Sequence, residues 1–109
     1  MISVSHIKVG DMFRKHRKNL GVSIAVLAEK CNMAASHISM MEKGQTLIKD
    51  GTKVAKMCST LCDNGTLFAY WAVASLRLEF FNQDALDMAI EHLKMVAVLG
   101  PMNMESFDE

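Results

Sequence analysis

Apolar residues recur every three or four positions along most of the chain, and runs that alternate with a period of two are almost absent. This spacing places apolar side chains on one face of a helix, so it predicts an all-α fold. Four helices are expected first, at about 9–20, 24–31, 34–43 and 52–61. Ser23 is placed to cap the second helix, and Asn32 tolerates the left-handed conformation that a sharp turn before the third would need.

The clearest break is the Cys-Asp-Asn-Gly segment at 62–65, whose residue types favour a turn. Two further helices are predicted beyond it, at 67–81 and 83–99, with Gly100-Pro101 ending the second. The first of these is apolar on nearly all sides, and such a helix must be buried on more than one face. We therefore expect residues 66–100 to form a helical hairpin that dimerises the chain, followed by a flexible acidic tail at 101–109. The expected dimer interface consists of Leu67, Phe68, Trp71, Leu76, Phe80 and Phe81.

The formal net charge is zero, but the charges are divided between the two parts of the chain. Residues 1–62 contain ten Lys or Arg against four acidic residues, whereas from 63 onward two basic residues stand against eight acidic ones. A basic segment of this kind indicates a polyanionic partner, and the acidic segment should face away from that partner. Two solvated surfaces that merely differ in charge are the alternative explanation of the same pattern.

Composition excludes several classes of protein. The sequence lacks an apolar stretch long enough to cross a bilayer, and its N-terminus lacks the features of a signal peptide, so we expect a soluble, cytoplasmic protein with no membrane partner. Three cysteines do not form the framework of a secreted mini-protein, and without clustered His they do not make a zinc site. We expect no metal and no cofactor. The absence of a Gly-rich phosphate loop, a nucleophile motif and paired carboxylates argues against an enzyme.

The segment "LGVSIAVLAEKCNMAASHISMMEKG", residues 20–44, resembles the Cro and lambda-repressor-like (Xre) helix-turn-helix family. The residues that carry the resemblance are Leu20-Gly21, Ser23, Leu27-Ala28-Glu29-Lys30, Ile38-Ser39, Glu42, Lys43 and Gly44. It extends from about Val9 to Leu61 and implies a helix-turn-helix DNA-binding domain at residues 1–62. It also implies a buried ion pair between Arg17 and Glu42, which we assign to structure.

In this family the third helix enters the major groove of double-stranded DNA, and the start of the second abuts the phosphate backbone. The resemblance places four residues at base edges: Ala35, Ser36, His37 and Met40. It places four others at phosphates: Ser23, Lys43, Gln45 and Lys49. The base-facing set lacks the Arg, Asn or Gln that make bidentate contacts with bases. We therefore expect recognition to depend on thymine methyl groups, phosphate contacts and DNA shape.

Together these observations predict a sequence-specific transcriptional regulator, most simply a repressor in a bacterium or a bacteriophage-infected host. It would act as a homodimer on a palindromic operator. The alternative is an interaction protein of the antitoxin or antirepressor type, which would use the helix-turn-helix scaffold and the apolar hairpin to bind another protein.

Overall fold

A computed structural model describes residues 1–100, so the predicted tail at 101–109 lies outside the described residues. Over residues 1–100 the chain forms six helices and one pair of two-residue strands. In chain order these are β1 (Ile2–Ser3), α1 (His6–Asn19), α2 (Ile24–Cys31), α3 (Ala35–Glu42), α4 (Gly51–Thr60), α5 (Thr66–Ser75), β2 (Glu79–Phe80) and α6 (Gln83–Leu99). The predicted all-α class is confirmed.

Polar side chains fix where α1, α2, α4 and α6 begin. Ser5 accepts a hydrogen bond from the amide of Lys8 at 3.1 Å, so α1 starts at His6, before the predicted start at Val9. Asp50 caps α4 and Asn82 caps α6 through the same kind of bond. Such caps satisfy amide groups that a helix start otherwise leaves without an acceptor.

One hydrophobic core joins the first four helices to the C-terminal hairpin. α5 packs against α1, α4 and α6, and the turn at 62–65 does not interrupt the core. The largest fully buried side chains come from both parts of the chain: Val9, Phe13, Leu27, Ile38, Met41, Val54, Met57, Cys58, Leu61, Val73 and Leu86. The hairpin at 66–100 is therefore packed as part of the same body as residues 1–62.

The prediction that the fifth helix continues to Phe81 is wrong. α5 ends at Ser75, where the amide of Leu78 donates to the carbonyl of Val73 at 3.1 Å and Arg77 adopts a left-handed φ of 55°. The chain then extends, and β2 pairs antiparallel with β1, with Phe80 opposite Ile2. This pairing joins segments more than 70 residues apart, so local periodicity could not indicate it.

A close approach between α1 and α3 depends on Gly10. A Cβ atom placed on Gly10 would overlap the carbonyl oxygen of Met41 and would lie 2.9 Å from that of Glu42. Because both neighbours are backbone atoms, neither can move aside by changing rotamer. Because Gly10 has no side chain, α1 can pack this closely against the C-terminal end of α3.

Candidate nucleic-acid interface

A sharp turn between α2 and α3 sets the orientation of α3. Asn32 closes α2 in the left-handed conformation, with φ 53° and ψ 50°, and the amide of Met33 donates to the carbonyl of Ala28 at 2.9 Å. On the inner face of α3, Ile38 and Met41 are fully buried. The turn and these two anchors hold α3 against the core, so its opposite face points to solvent.

A buried ion pair links the end of α3 to α1. The Nε atom of Arg17 donates to one carboxylate oxygen of Glu42 at 2.7 Å and a terminal nitrogen donates to the other at 2.9 Å. The remaining terminal nitrogen donates to the carbonyl of Val22 at 2.8 Å, just before α2. The two side chains are only 9% and 4% exposed. The hydrogen bond with Glu42 raises the pKa of Arg17, which keeps the guanidinium charged.

The four residues expected to face bases are all exposed, and they lie on the first turns of α3: Ala35, Ser36, His37 and Met40. They present a methyl group, a hydroxyl, an imidazole and a thioether to solvent. This surface can form one or two hydrogen bonds with base edges and several apolar contacts, but no bidentate contact with a base.

The four residues expected to contact phosphate are exposed as well, and they lie around α3. Ser23 caps α2, and its hydroxyl oxygen accepts from the amide of Val26 at 3.1 Å. The hydroxyl proton remains able to donate to a phosphate oxygen. Lys43 forms the C-cap of α3, while Gln45 and Lys49 lie in the loop that follows.

Two open clefts add basic residues that sequence reasoning did not assign to the interface. A cleft of about 420 Å³ brings His37, Met40 and Lys49 together with Lys53 of α4. A second, of about 560 Å³, lies between α1 and α3 and adds Lys8, Arg14 and Lys18, beside Lys43 and the acidic Asp11 that pairs with Arg14. The surplus of basic residues in α1 was visible in the sequence. Which of them approach α3 depends on how the helices pack.

The loop between α3 and α4 is held by the hairpin. The indole Nε1 of Trp71 in α5 donates to the carbonyl of Ile48 at 2.8 Å. This bond fixes the segment that carries Gln45 and Lys49. The C-terminal hairpin therefore supports the candidate interface directly, a connection that the sequence did not indicate.

The predicted dimer interface needs correction. Leu67 and Trp71 are buried in the core of their own chain, so they are not available to a second copy. Phe68 and Phe80 are half-buried against the same core. Of the six predicted residues, Leu76 and Phe81 are exposed. The error arose because α1 and α4, as well as α6, cover α5, so this helix needs no partner from another chain.

The cysteines do not assemble a metal site within residues 1–100, where no group of three or more His, Cys, Asp or Glu is placed to hold an ion. Cys31 and Cys58 are buried and Cys62 is exposed. Burial raises the pKa of the Cys58 thiol well above its ordinary value. Cys58 is therefore a protonated core side chain.

No helix in the described part of the chain, 1–100, is long and apolar enough to span a membrane.

The protein-family model described as Helix-turn-helix matches residues 13–61. These residues include the second half of α1 and all of α2, α3 and α4. They also include the candidate interface described above, except its residues in the first half of α1. No curated protein and no solved structure matches the chain. The family is a DNA-binding regulatory one and is not typically enzymatic. Residues 13–61 thus match a helix-turn-helix domain, which supports the resemblance to the Xre, Cro and lambda-repressor-like family and indicates a DNA-binding transcription regulator.

Proposed function

We propose that this chain is a sequence-specific transcriptional regulator that binds a palindromic operator as a homodimer and represses by occluding the site. The observation that carries the proposal is the two-sided character of α3. Its inner face is anchored by Ile38 and Met41, and its outer face is exposed between two groups of basic residues. A helix held this way can enter the major groove while lysines on either side contact the phosphate backbone.

Individual contacts follow from the chemistry of the side chains. Ala35 and Met40 offer apolar contacts to thymine methyl groups. Ser36 can donate to or accept from a base edge, and His37 can donate to guanine or to a phosphate. None of these makes a bidentate pair, so the affinity of one half-site should come largely from phosphate contacts and from DNA shape.

A dimer compensates for a weakly specific half-site. Two half-sites bound together double the number of base contacts, and their centres would lie about one helical turn apart, or roughly 34–36 Å. Binding to a promoter at such a site excludes other proteins by steric overlap. We place this activity in a bacterial cell or in a host infected by a bacteriophage.

In vitro selection from random duplex DNA tests the proposal. Purified protein should enrich a motif with two-fold symmetry and A·T pairs at the positions next to Ala35 and Met40. Enrichment of no motif, with binding that depends only on salt, would mean that the chain associates with DNA without recognising sequence.

Variants of the interface separate phosphate contacts from base contacts. Lys43→Ala should weaken binding to all duplexes and reduce the slope of log affinity against log salt by about 0.9 for each phosphate that is no longer neutralised. His37→Ala and Ser36→Ala should instead change preference at one or two base pairs, each by about 0.5–1.5 kcal/mol, the net contribution of a single hydrogen bond. Lys15→Ala is a matched control, because Lys15 is an exposed lysine of α1 that pairs with Asp11. Identical behaviour of Lys43→Ala and His37→Ala would contradict the assignment of α3 as the base-contacting helix.

The second candidate is an interaction protein of the antitoxin or antirepressor type. It is favoured by the weakly polar outer face of α3 and by exposed apolar side chains on the hairpin, such as Leu76 and Phe81. This candidate predicts that a partner protein binds with an affinity that Lys43→Ala does not change. If the chain is a DNA-binding regulator, Lys43→Ala should instead weaken its binding to duplex DNA.

A further inference from the structure

Lys8, in the first turn of α1, lies over the aromatic ring of Tyr70 in α5. Its ammonium nitrogen is 5.3 Å from the centroid of the ring. A cation within about 6 Å of an aromatic ring is attracted by the negative face of that ring. Tyr70 is half-buried and packs against the core, whereas Lys8 is exposed. The ring therefore gives a flexible surface side chain a defined position.

The contact with a ring distinguishes Lys8 from most basic residues of α1. Arg14 and Lys15 both pair with Asp11, and Arg17 is held by the buried carboxylate described above. No carboxylate among residues 1–100 forms an ion pair with Lys8. A carboxylate would repel an approaching phosphate, but an aromatic ring carries no net charge. Lys8 is thus held in place with its charge still available to an anion.

The start of α1 lies against the end of α3. A Cβ atom placed on Gly44 would lie 2.6 Å from the Cα atom of Ile7, so the two backbones are in close contact. Lys8 follows directly, and it lines the same cleft as Ser39 and Lys43 of the α3 segment. The ammonium groups of Lys8 and Lys43 therefore border one cleft beside the exposed face of α3.

Adjacent residues of α5 support two different parts of this surface. Tyr70 contacts Lys8 on the α1 side of α3. Trp71 donates to the carbonyl of Ile48 in the loop that follows α3. The hairpin can therefore affect DNA binding on both sides of α3 through residues that do not touch DNA.

We propose that Lys8 contacts a phosphate of the DNA backbone beside α3 and that Tyr70 is the residue that positions it. This inference rests on the proposed function, since it concerns the same DNA-binding face. Lys8 and Tyr70 both lie outside residues 13–61, which match the helix-turn-helix family model. The DNA-binding surface thus includes the first turn of α1 and depends on the C-terminal hairpin for its shape.

The two contacts of Lys8 are compatible with each other. An ammonium group has three N–H donors, so it can rest on the face of a ring and still donate to a phosphate oxygen on its other side. Without the ring, the long side chain of Lys8 is free to move in the unbound protein. The phosphate contact alone must then offset the entropy that the side chain loses on binding.

Binding of the full chain to a fluorescein-labelled duplex, measured by anisotropy at several salt concentrations, tests the inference. The duplex can have any sequence, because phosphate contacts do not depend on the bases. Lys8→Ala should weaken binding and reduce the slope of log affinity against log salt by about 0.9, the value for one phosphate contact. Lys15→Ala is the matched control. It removes the same charge from α1, but Lys15 pairs with Asp11, so the slope should stay unchanged.

Variants of Tyr70 separate the positioning of Lys8 from a general effect on the fold. Tyr70→Phe keeps the ring and should bind DNA as the unmodified chain does. Tyr70→Leu removes the ring and should weaken binding by about two- to fivefold, the contribution of an exposed cation–π contact. In the Lys8→Ala background, Tyr70→Leu should have no further effect, because no ammonium group is left to position. Circular dichroism checks that each variant is folded. Lys8→Arg keeps a cation that can lie over the ring and should retain the slope, so the test does not depend on the stability of Tyr70→Leu.

The inference is overturned if Lys8→Ala leaves the salt slope unchanged, as Lys15→Ala should. It is also overturned if a folded Tyr70→Leu variant keeps full affinity, or if Tyr70→Leu weakens binding equally with and without Lys8. Lys43→Ala separates these failures from failure of the proposed function. If Lys43→Ala reduces the slope and Lys8→Ala does not, the DNA-binding face stands and only the role of Lys8 is wrong. If neither variant reduces it, or the chain binds no DNA, both proposals are wrong.

Discussion

Removal of the carboxylate from the buried ion pair should destabilise the domain severely. In Glu42→Ala the guanidinium of Arg17 loses two of its three hydrogen bonds and keeps the one to the carbonyl of Val22. The charge would then lie in a site where the Arg17 side chain is only 9% exposed. Breaking one partner of a buried pair costs about 3–5 kcal/mol, because the other charge is left without compensation.

This cost is large beside the total stability of a small domain, which is about 5–15 kcal/mol. Each kcal/mol lowers the midpoint of thermal unfolding by about 4–8 °C for a domain of this size, so Glu42→Ala should lower it by more than about 10 °C. Replacing both partners, as in Arg17→Met with Glu42→Leu, should restore most of the stability, because neither charge is then stranded.

Urea denaturation, monitored by circular dichroism, measures these free energies. The unmodified chain, Arg17→Met, Glu42→Leu and the variant with both changes form a double-mutant cycle. Asp11→Ala is the matched control, because Asp11 pairs with Arg14 and Lys15 on the surface. Its removal should change the midpoint little. The reasoning is refuted if Glu42→Ala costs no more than Asp11→Ala, or if the double variant is as unstable as the sum of the single ones.

Four more predictions concern the core, the loop it supports and the cysteines. Gly10→Ala should lower the free energy of unfolding by about 2 kcal/mol or more, because a Cβ there overlaps the backbone of Met41. Urea denaturation measures this change, and an unchanged midpoint would mean that α1 and α3 are not in close contact. Trp71→Phe removes the hydrogen bond from the indole to the loop at 45–50, so it should lower the free energy of unfolding by about 1 kcal/mol. It should also weaken DNA binding in a fluorescence titration. Full affinity would show that this loop needs no support from α5. A thiol reagent should label Cys62 at once and Cys58 only on unfolding. Burial raises the pKa of the Cys58 thiol in the folded chain, so the thiol ionises at lower pH in the unfolded chain. The free energy of unfolding should therefore fall as pH rises above about 8.5. In Cys58→Ala the decrease should be smaller, because this thiol no longer contributes to it.

Local signals were sufficient for most of the fold. The caps at Ser23 and Asn82, the turn at Asn32 and the break at 62–65 each depend on the conformational preferences of a few neighbouring residues, and the structure has helix ends at each of them. The spacing of Ile38 and Met41 identified the buried face of α3, and with it the exposed face, because the two faces of a short helix exclude each other.

Contacts between segments far apart in the chain could not be predicted from the sequence. The pairing of β1 with β2 and the fit of Gly10 against α3 both depend on segments far apart in the chain. The same limit explains the error at α5. An apolar helix demands cover on several sides, but its composition does not say whether that cover comes from the same chain or from another, and here α1, α4 and α6 supply it.

The central claim is that the exposed face of α3 contacts DNA. Chemical-shift mapping by NMR of the 12.1 kDa chain, titrated with a selected duplex and with a scrambled one, tests it most directly. The claim predicts that the selected duplex shifts the signals of residues 35–40 strongly, with further shifts at Ser23 and at 43–49, and that the scrambled duplex shifts mainly the second group. Shifts confined to the hairpin at 66–99, with residues 35–40 unchanged, would contradict it.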